Sequence, residues 1–374
     1  MPIRIRLGTV NITPRTKELM AQALDTGMIG QGPQVAEFEC GLAQWFGVKH
    51  VMATANGTTA DAAALAAVKE IDQRRRGRAR TEVIVPALTF IAQVNAVRYN
   101  HLTPVFVDVG ADYQIDVVKI PEKITGDTLA IMPTHLLGKP AAMRAITALA
   151  RAHNLFVIED ACEALGSAYF GAKAGTIGDV GCFSFYVSHS ITTGEGGAAV
   201  TNDDEIAELI RSKRSHGRKS ERGQDKYVFP HVGFSGKMNS LEAIIGLGML
   251  PELDGYVARR NANHRELKRR IGQGGLGERE GEWIVPHGYP VMLAQAGRRD
   301  ELLIELPERH GIEARQIFSS IPTQCEAYAY LGEPKGAYPV AEDIGERGLY
   351  LPCHQNLSAD DIAYLGDTVR SVLT

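Results

Sequence analysis

Five short apolar runs, alternating with helix-like segments, limit the fold of this chain more than any other feature. They are Val51-Met52-Ala53-Thr54, Val83-Ile84-Val85-Pro86, Pro104 to Asp108, Leu129 to Pro133, and Leu155 to Asp160. Residues 33 to 46, the alanine-rich stretch Thr58 to Lys69, and Ala141 to His153 carry helical spacing. Continuous apolar runs of this length read as strands buried on both faces, and the alternation implies a mostly parallel sheet covered by helices. The expected class is therefore α/β. Active groups in such sheets sit at the carboxyl ends of the strands. Asn56, Thr89, His135 and Asp160 all fall at or just past an expected strand end.

The remainder of the chain has a different rhythm. A long helix is expected from about Asn239 through Leu250 into Arg259-Arg260, followed by a Gly-rich stretch, 272 to 281, and mixed strands and helices. This predicts a large domain over 1–245 and a smaller C-terminal α+β domain over 246–374, an ordinary division for 374 residues. The basic run Arg74 to Arg80 is expected to be a solvated loop.

A net charge of −4 offers no general attraction for nucleic acid or a membrane surface. No apolar run approaches a membrane span, and Met1 to Arg6 does not begin a secretion signal. The five cysteines, Cys40, Cys162, Cys182, Cys325 and Cys353, have no paired spacing. They read as reduced, mostly buried thiols of a cytoplasmic protein, and they offer no iron–sulfur cradle and no metal site.

Four clusters carry chemistry. Asn56-Gly57-Thr58-Thr59-Ala60 joins a strand to a helix, where free N–H groups and hydroxyls suit a phosphate, although the same pattern also serves as a simple N-cap. Phe90 ends Pro86-Ala87-Leu88-Thr89-Phe90 and is a stacking face or a core residue. Glu159, Asp160 and Glu163 put three acids at the end of one apolar strand, where a buried carboxylate needs a partner. Ser184 and His189 lie in a segment that continues Thr192-Thr193-Gly194-Glu195-Gly196-Gly197 and reads as a tight functional loop.

The order and spacing of these clusters resemble the DegT/DnrJ/EryC1/StrS family of nucleotide-sugar aminotransferases, of the aspartate-aminotransferase-like fold (pyridoxal phosphate fold type I). The resemblance covers nearly the whole chain. It includes Thr26 to Pro33, Phe38-Glu39, His135 to Pro140, Glu159 to Ala164, Gly178-Asp179, the Ser184 segment, and Gly233 to Met238, which looks like the family's dimer-crossing segment. It implies pyridoxal 5'-phosphate or its pyridoxamine form as cofactor. Gly57, Thr58, Thr59 and Ser184 would hold the phosphate, Phe90 would stack on the ring, Asp160 would meet the ring nitrogen, and Glu163 would add a cofactor contact. Ser235 stands where the family usually has an asparagine that reaches the neighbouring subunit's phosphate.

Two departures resemble one subgroup, the sugar 3-dehydratases such as GDP-4-keto-6-deoxymannose 3-dehydratase. His189 replaces the lysine that bonds the cofactor covalently, and Glu163 replaces a glutamine. One branch of the subgroup adds an iron–sulfur cluster held by four cysteines after this loop, and no cysteine stands between Cys182 and Cys325, so the resemblance is to the branch without a cluster. It implies non-covalent cofactor and His189, with an ordinary pKa of about 6.5, as the base. The partners implied are a nucleotide-linked 4-keto sugar, glutamate as amino donor, and a second copy of the chain in a homodimer with a shared active site. Three readings stay open on the sequence: a dehydratase, an aminotransferase-like enzyme that uses His189 differently, and a non-catalytic cofactor-binding relative.

Overall fold

Each of the five apolar runs becomes a strand of one sheet in the computed structural model, which describes residues 2–220 and 223–373. In chain order they are β1 (His50–Thr54), β2 (Glu82–Pro86), β3 (Thr103–Val107), β4 (Thr128–Ile131) and β5 (Phe156–Asp160). Two short strands, β6 (Ala168–Tyr169) and β7 (Ala172–Lys173), lead to β8 (Val180–Ser184) and β9 (Gly197–Thr201). The large sheet has the order β1-β9-β8-β5-β4-β2-β3. It is parallel except for β9, which runs against both its neighbours, β8 and β1. The strands β8 and β9 were not foreseen, because Gly181, Cys182, Gly197, Ala198 and Ala199 lack β-forming bulk. Small side chains suit this place. The helix Gly57–Arg76 packs across both strands with Ala60, Ala63, Ala64 and Ala67 fully buried.

That helix also fixes the site. Asn56 caps it with an extended backbone, and its Oδ1 accepts the Thr59 N–H at 2.9 Å. Such a cap is worth about 1 kcal/mol. The helix runs beyond its expected end at Lys69 to Arg76, with Gly77 as C-cap. Arg74, Arg75 and Arg76 thus complete the last helical turn, where cations offset the dipole. Arg80 is buried, and its guanidinium and backbone N–H both bond the Asp72 carboxylate at 2.8 Å. The basic run is thus exposed as expected from Arg74 to Arg78, but its first three arginines are helical and Arg80 is buried.

The expected long helix is interrupted. A capping box of Asn239 and Glu242 starts the helix Ser240–Met249, a single tight turn covers Leu250–Glu252, and a second helix runs Leu253–Ile271. Pro251 lacks the N–H that a continuous helix needs there. The division expected between residues 245 and 246 falls inside the first of these helices, which packs on the helices Pro14–Thr26 and Pro33–Phe46.

Beyond it, β10 (Glu282–Trp283) pairs with β6 of the large unit. The strands β11 (Gly288–Met292), β12 (Arg315–Gln316) and β13 (Gly348–Pro352) form a small antiparallel sheet of order β11-β13-β12. Its core gathers Leu267, Tyr289, Leu302, Leu306 and Leu365, and Ile5 joins it from the start of the chain. All five cysteines are free, but only Cys182 and Cys353 are buried; Cys40 is exposed, so they are not mostly buried thiols. No described helix is long and apolar enough to cross a membrane.

Candidate active site

The carboxyl ends of β1, β2, β4, β5 and β8 open onto one cavity of about 320 Å³, a size suited to a small organic ligand. Seven of the nine expected site residues line it: Gly57, Thr58, Phe90, Asp160, Glu163, Ser184 and His189. The helix Gly57–Arg76 aims its N-terminus here. Its first N–H groups, at Gly57 and Thr58, have no carbonyl one turn back to bond, which makes an anion site. Gly57 is required by contact: a Cβ there would lie 2.9 Å from the Cys162 sulfur and 3.0 Å from Ser184 Cβ. Phe90 keeps 55% of its surface exposed, and its ring tilts against Phe318 at a centroid distance of 5.3 Å. It is a face available for stacking, not a core residue.

The three acids of the Glu159 to Glu163 segment serve different ends. Glu159 turns away from the cavity. It accepts the Gly175, Ile177 and Gly178 N–H groups and pairs with His135 at 2.8 Å. Because the Ala141 N–H donates to His135 Nδ1, the His135 proton sits on Nε2. Hence His135 is a buried strut, and Thr89, whose hydroxyl bonds Thr134, is another. Neither lines the cavity, whereas Thr134 does. Asp160 and Glu163 do face the ligand space.

Burial raises Asp160 above the ordinary carboxylate range, opposed by hydrogen bonds from Cys162. Burial pushes Glu163 up to about 8, partly opposed by the Leu137 N–H, while Asp160 adds a like charge. Glu163 therefore carries a proton at neutral pH and is a donor, as an amide would be.

His189 ends a loop that its own tail closes. The Thr193 N–H and the Thr192 hydroxyl bond the Phe185 carbonyl at 2.9 and 2.8 Å, and the Gly194 N–H bonds the Thr192 hydroxyl. Phe185 and Ile191 anchor the loop in the core. From the other side Arg260, 1% exposed, reaches the carbonyls of Ser188 and His189 at 3.3 and 3.1 Å, Gln355 Oε1 at 2.8 Å, and the Pro286 carbonyl at 3.1 Å. His189 Nδ1 is enclosed and has no partner among the described residues. Burial, then the Arg260 charge, lowers the His189 pKa to about 3. The ordinary value near 6.5 expected for this base is thus corrected: the imidazole is neutral across the physiological range.

Thr59 and Ser235 stand apart from the cavity. The Thr59 hydroxyl is spent on Asn56 Oδ1 at 2.8 Å. Both residues line a neighbouring recess of about 1060 Å³, which shares Asn56 and Thr58 with the first cavity. Among the cavity residues not foreseen are Asp61, His287, Arg315 and Tyr350. The His287 ring lies 4.9 Å from that of His189, and its Nε2 is 3.7 Å from Glu163. Burial, with His189 and Arg260 beside it, holds His287 well below the usual histidine range. These last three come from the small unit, where no sequence pattern marks them. Asp61 was legible as the one acid within the alanine-rich stretch Thr58 to Lys69.

The donor set fits a phosphorylated pyridine: an anion site at Gly57, Thr58 and Ser184, a stacking face at Phe90, and a buried carboxylate at Asp160. The partnerless Nδ1 of His189 leaves a polar atom for such a ligand to meet.

A family model described as the DegT/DnrJ/EryC1/StrS aminotransferase family matches residues 10–370. The chain is 37% identical over 372 residues to a GDP-perosamine synthase of Caulobacter vibrioides, covering 96% of this chain and 95% of that protein. It is 33% identical over 334 residues to a dTDP-4-dehydro-2,6-dideoxy-D-glucose 3-dehydratase of Saccharopolyspora spinosa, covering 80% of this chain and 71% of the other. Among solved structures, DesV of S. venezuelae in complex with a ketimine intermediate superposes with a TM-score of 0.84 at 32% identity, covering 95% of this chain and 93% of the other. The chain belongs to the DegT/DnrJ/EryC1/StrS aminotransferase family, and its fold is that of the pyridoxal-phosphate-dependent sugar aminotransferases.

Proposed function

We propose that the chain is a dehydratase that uses non-covalently held pyridoxamine phosphate, without an iron–sulfur cluster, to remove a hydroxyl from a 4-keto nucleotide sugar. One observation carries this reading. His189, and no lysine among the described residues, lines the cavity beside Asp160, Ser184 and Phe90. When bound, the cofactor supplies an amine that condenses with the sugar ketone and a ring that takes up electrons, and glutamate renews that amine.

The chain's own groups do the rest. Gly57, Thr58 and Ser184 hold the phosphate. Phe90 fixes the plane of the ring, and Asp160 sets the ring nitrogen as a cation. His189, neutral at physiological pH, would be the group that accepts the proton released in the reaction. A lysine at this place could bond the cofactor covalently, which an imidazole cannot do, and that difference supports a non-covalently held cofactor and elimination over amino transfer. Protonated Glu163 donates a hydrogen bond from the place where a glutamine amide would donate one.

Val232, 91% exposed, lines the recess beside Ser235, and Tyr227 and Phe229, 76% and 50% exposed, precede it in the chain. We read this apolar stretch as the seat of a second copy in a homodimer, with Ser235 serving the partner's phosphate.

The test is incubation of the purified chain with pyridoxamine phosphate, glutamate and a panel of 4-keto nucleotide sugars, followed by mass analysis. Loss of water with release of ammonia supports the reading. A second reading, transamination, is favoured by the likeness to GDP-perosamine synthase; an amino sugar as the only product would establish it instead. Light scattering tests the dimer, which a stable monomer with full activity would rule out.

A further inference from the structure

Asp61 lies on the helix Gly57–Arg76, one turn beyond the anion-binding N–H groups, and is 1% exposed. Its Oδ1 is buried and has no hydrogen-bond partner among the described residues. Ligand-capable atoms of Asp61, Asp160 and Cys162 all lie within 4.8 Å of one another. Both aspartates line the cavity. A lone acid on an alanine-rich face that packs on a sheet has no structural use there: alanine or leucine would fill the place without the cost of burying a polar atom.

The groups that face Asp61 come from several elements. Asp160 ends β5, Cys162 follows it, and Cys182 on β8 supplies a weak thiol hydrogen bond. His135 acts on Asp160 from the β4 side. None of these places a formal cation against Asp61. Two ionised carboxylates this close and this deeply buried repel strongly, so one of them keeps a proton. The surroundings decide which. Asp160 accepts the Cys162 N–H at 3.2 Å, whereas Asp61 Oδ1 accepts nothing. Burial and the Asp160 charge also drive Asp61 well above the ordinary carboxylate range.

We propose that Asp61 is a positioning residue that holds one proton beside Asp160, so that the pair presents a single negative charge, carried by Asp160, to a cationic ring nitrogen in the cavity. No proton is consumed: the O–H stays on Asp61 while Asp160 pairs with the cation. The cofactor part of this statement rests on the function proposed above. The protonation state of Asp61 does not.

The test reads protonation directly, by the infrared carbonyl band of a protonated carboxyl group in the full-length chain at pH 7.5. Glu163 contributes such a band, so the comparison is made in the Glu163→Gln background. A buried-acid band should persist in E163Q and in E163Q/D160N, and vanish in E163Q/D61N. Persistence in E163Q/D61N, or its absence from E163Q alone, overturns the proposal.

Binding of pyridoxamine phosphate, followed by fluorescence, gives the second arm. D61N, which keeps an N–H donor beside Asp160, should bind within about 3-fold of wild type, and D61L should bind at least 10-fold more weakly. Equal binding by D61L refutes the link to the ring site. Failure of the wild type to bind pyridoxamine phosphate would overturn the proposed function and the cofactor part of this proposal, while the infrared arm would still decide the state of Asp61.

Discussion

Replacing Glu163 with glutamine should make the protein more stable at neutral pH, and by an amount that depends on pH. Burial raises the Glu163 pKa from 4.5 to about 8. The folded state therefore keeps a proton that the unfolded chain releases above pH 4.5. The sign follows from linkage: for an acid with a raised folded pKa, stability is greatest at low pH and falls as pH rises, until the folded group also ionises. Each pH unit in that window costs about 1.4 kcal/mol. A glutamine side chain at this position cannot ionise and escapes the penalty. Its amide keeps a carbonyl oxygen for the Leu137 N–H, which Glu163 Oε2 accepts at 2.6 Å. At pH 5 the two proteins should differ by less than about 1 kcal/mol, and at pH 7 the variant should lead by about 3 kcal/mol. Urea denaturation of both proteins without added cofactor, at pH 5, 6, 7 and 8, measures the difference. A difference that stays flat with pH would mean that Glu163 is ionised in the folded protein, and the account of Glu163 as a donor would fall with it.

Other outcomes follow from the same contacts. His189→Asn should retain pyridoxamine phosphate but lose about 10²- to 10⁴-fold in the rate of water loss, the usual contribution of a positioned base, as read by mass analysis of product. His189 itself should stay neutral on acidification from pH 8 to 5, because its pKa lies near 3, and an NMR titration of the imidazole in the cofactor-free chain checks this. Arg80→Ala should cost about 1–3 kcal/mol in denaturant unfolding at pH 7, since the buried Asp72 carboxylate loses the Arg80 guanidinium and keeps, as a cation, only Arg76 with its Nε at 3.0 Å. Arg80 and its hydrogen bonds hold the Asp72 pKa below 3.8 against burial, so stability from this pair is lost only as pH falls through that depressed value.

How much of this was legible in the sequence depends on whether a residue's role is set by its neighbours in the chain or by its neighbours in space. The strands β1 to β5 were readable because each is a continuous apolar run, and the site residues at their ends followed from the geometry of parallel sheets. β8 and β9 were not readable, since their small residues are selected by a helix that crosses them and not by strand propensity. The same division runs through the active site. Gly57, Asp160 and His189 stand in local patterns, whereas Arg260, His287 and Tyr350 acquire meaning only when the small unit folds against the His189 loop. Even the chemistry of His189 changed for this reason. An imidazole in a serine-rich turn reads as an ordinary titrating base, but enclosure and the Arg260 guanidinium, 71 residues away in sequence, remove its charge throughout the physiological range. Glu163 moves the opposite way for the same cause: burial penalises the charged form of either group, so the base is held unprotonated and the acid protonated. A neutral acceptor and a neutral donor thus line the same cavity, with His287 close to both. An arrangement that removes one proton and holds another in place needs both groups neutral at the same pH. Burial supplies that condition to each independently, and the Arg260 charge adds to it at His189.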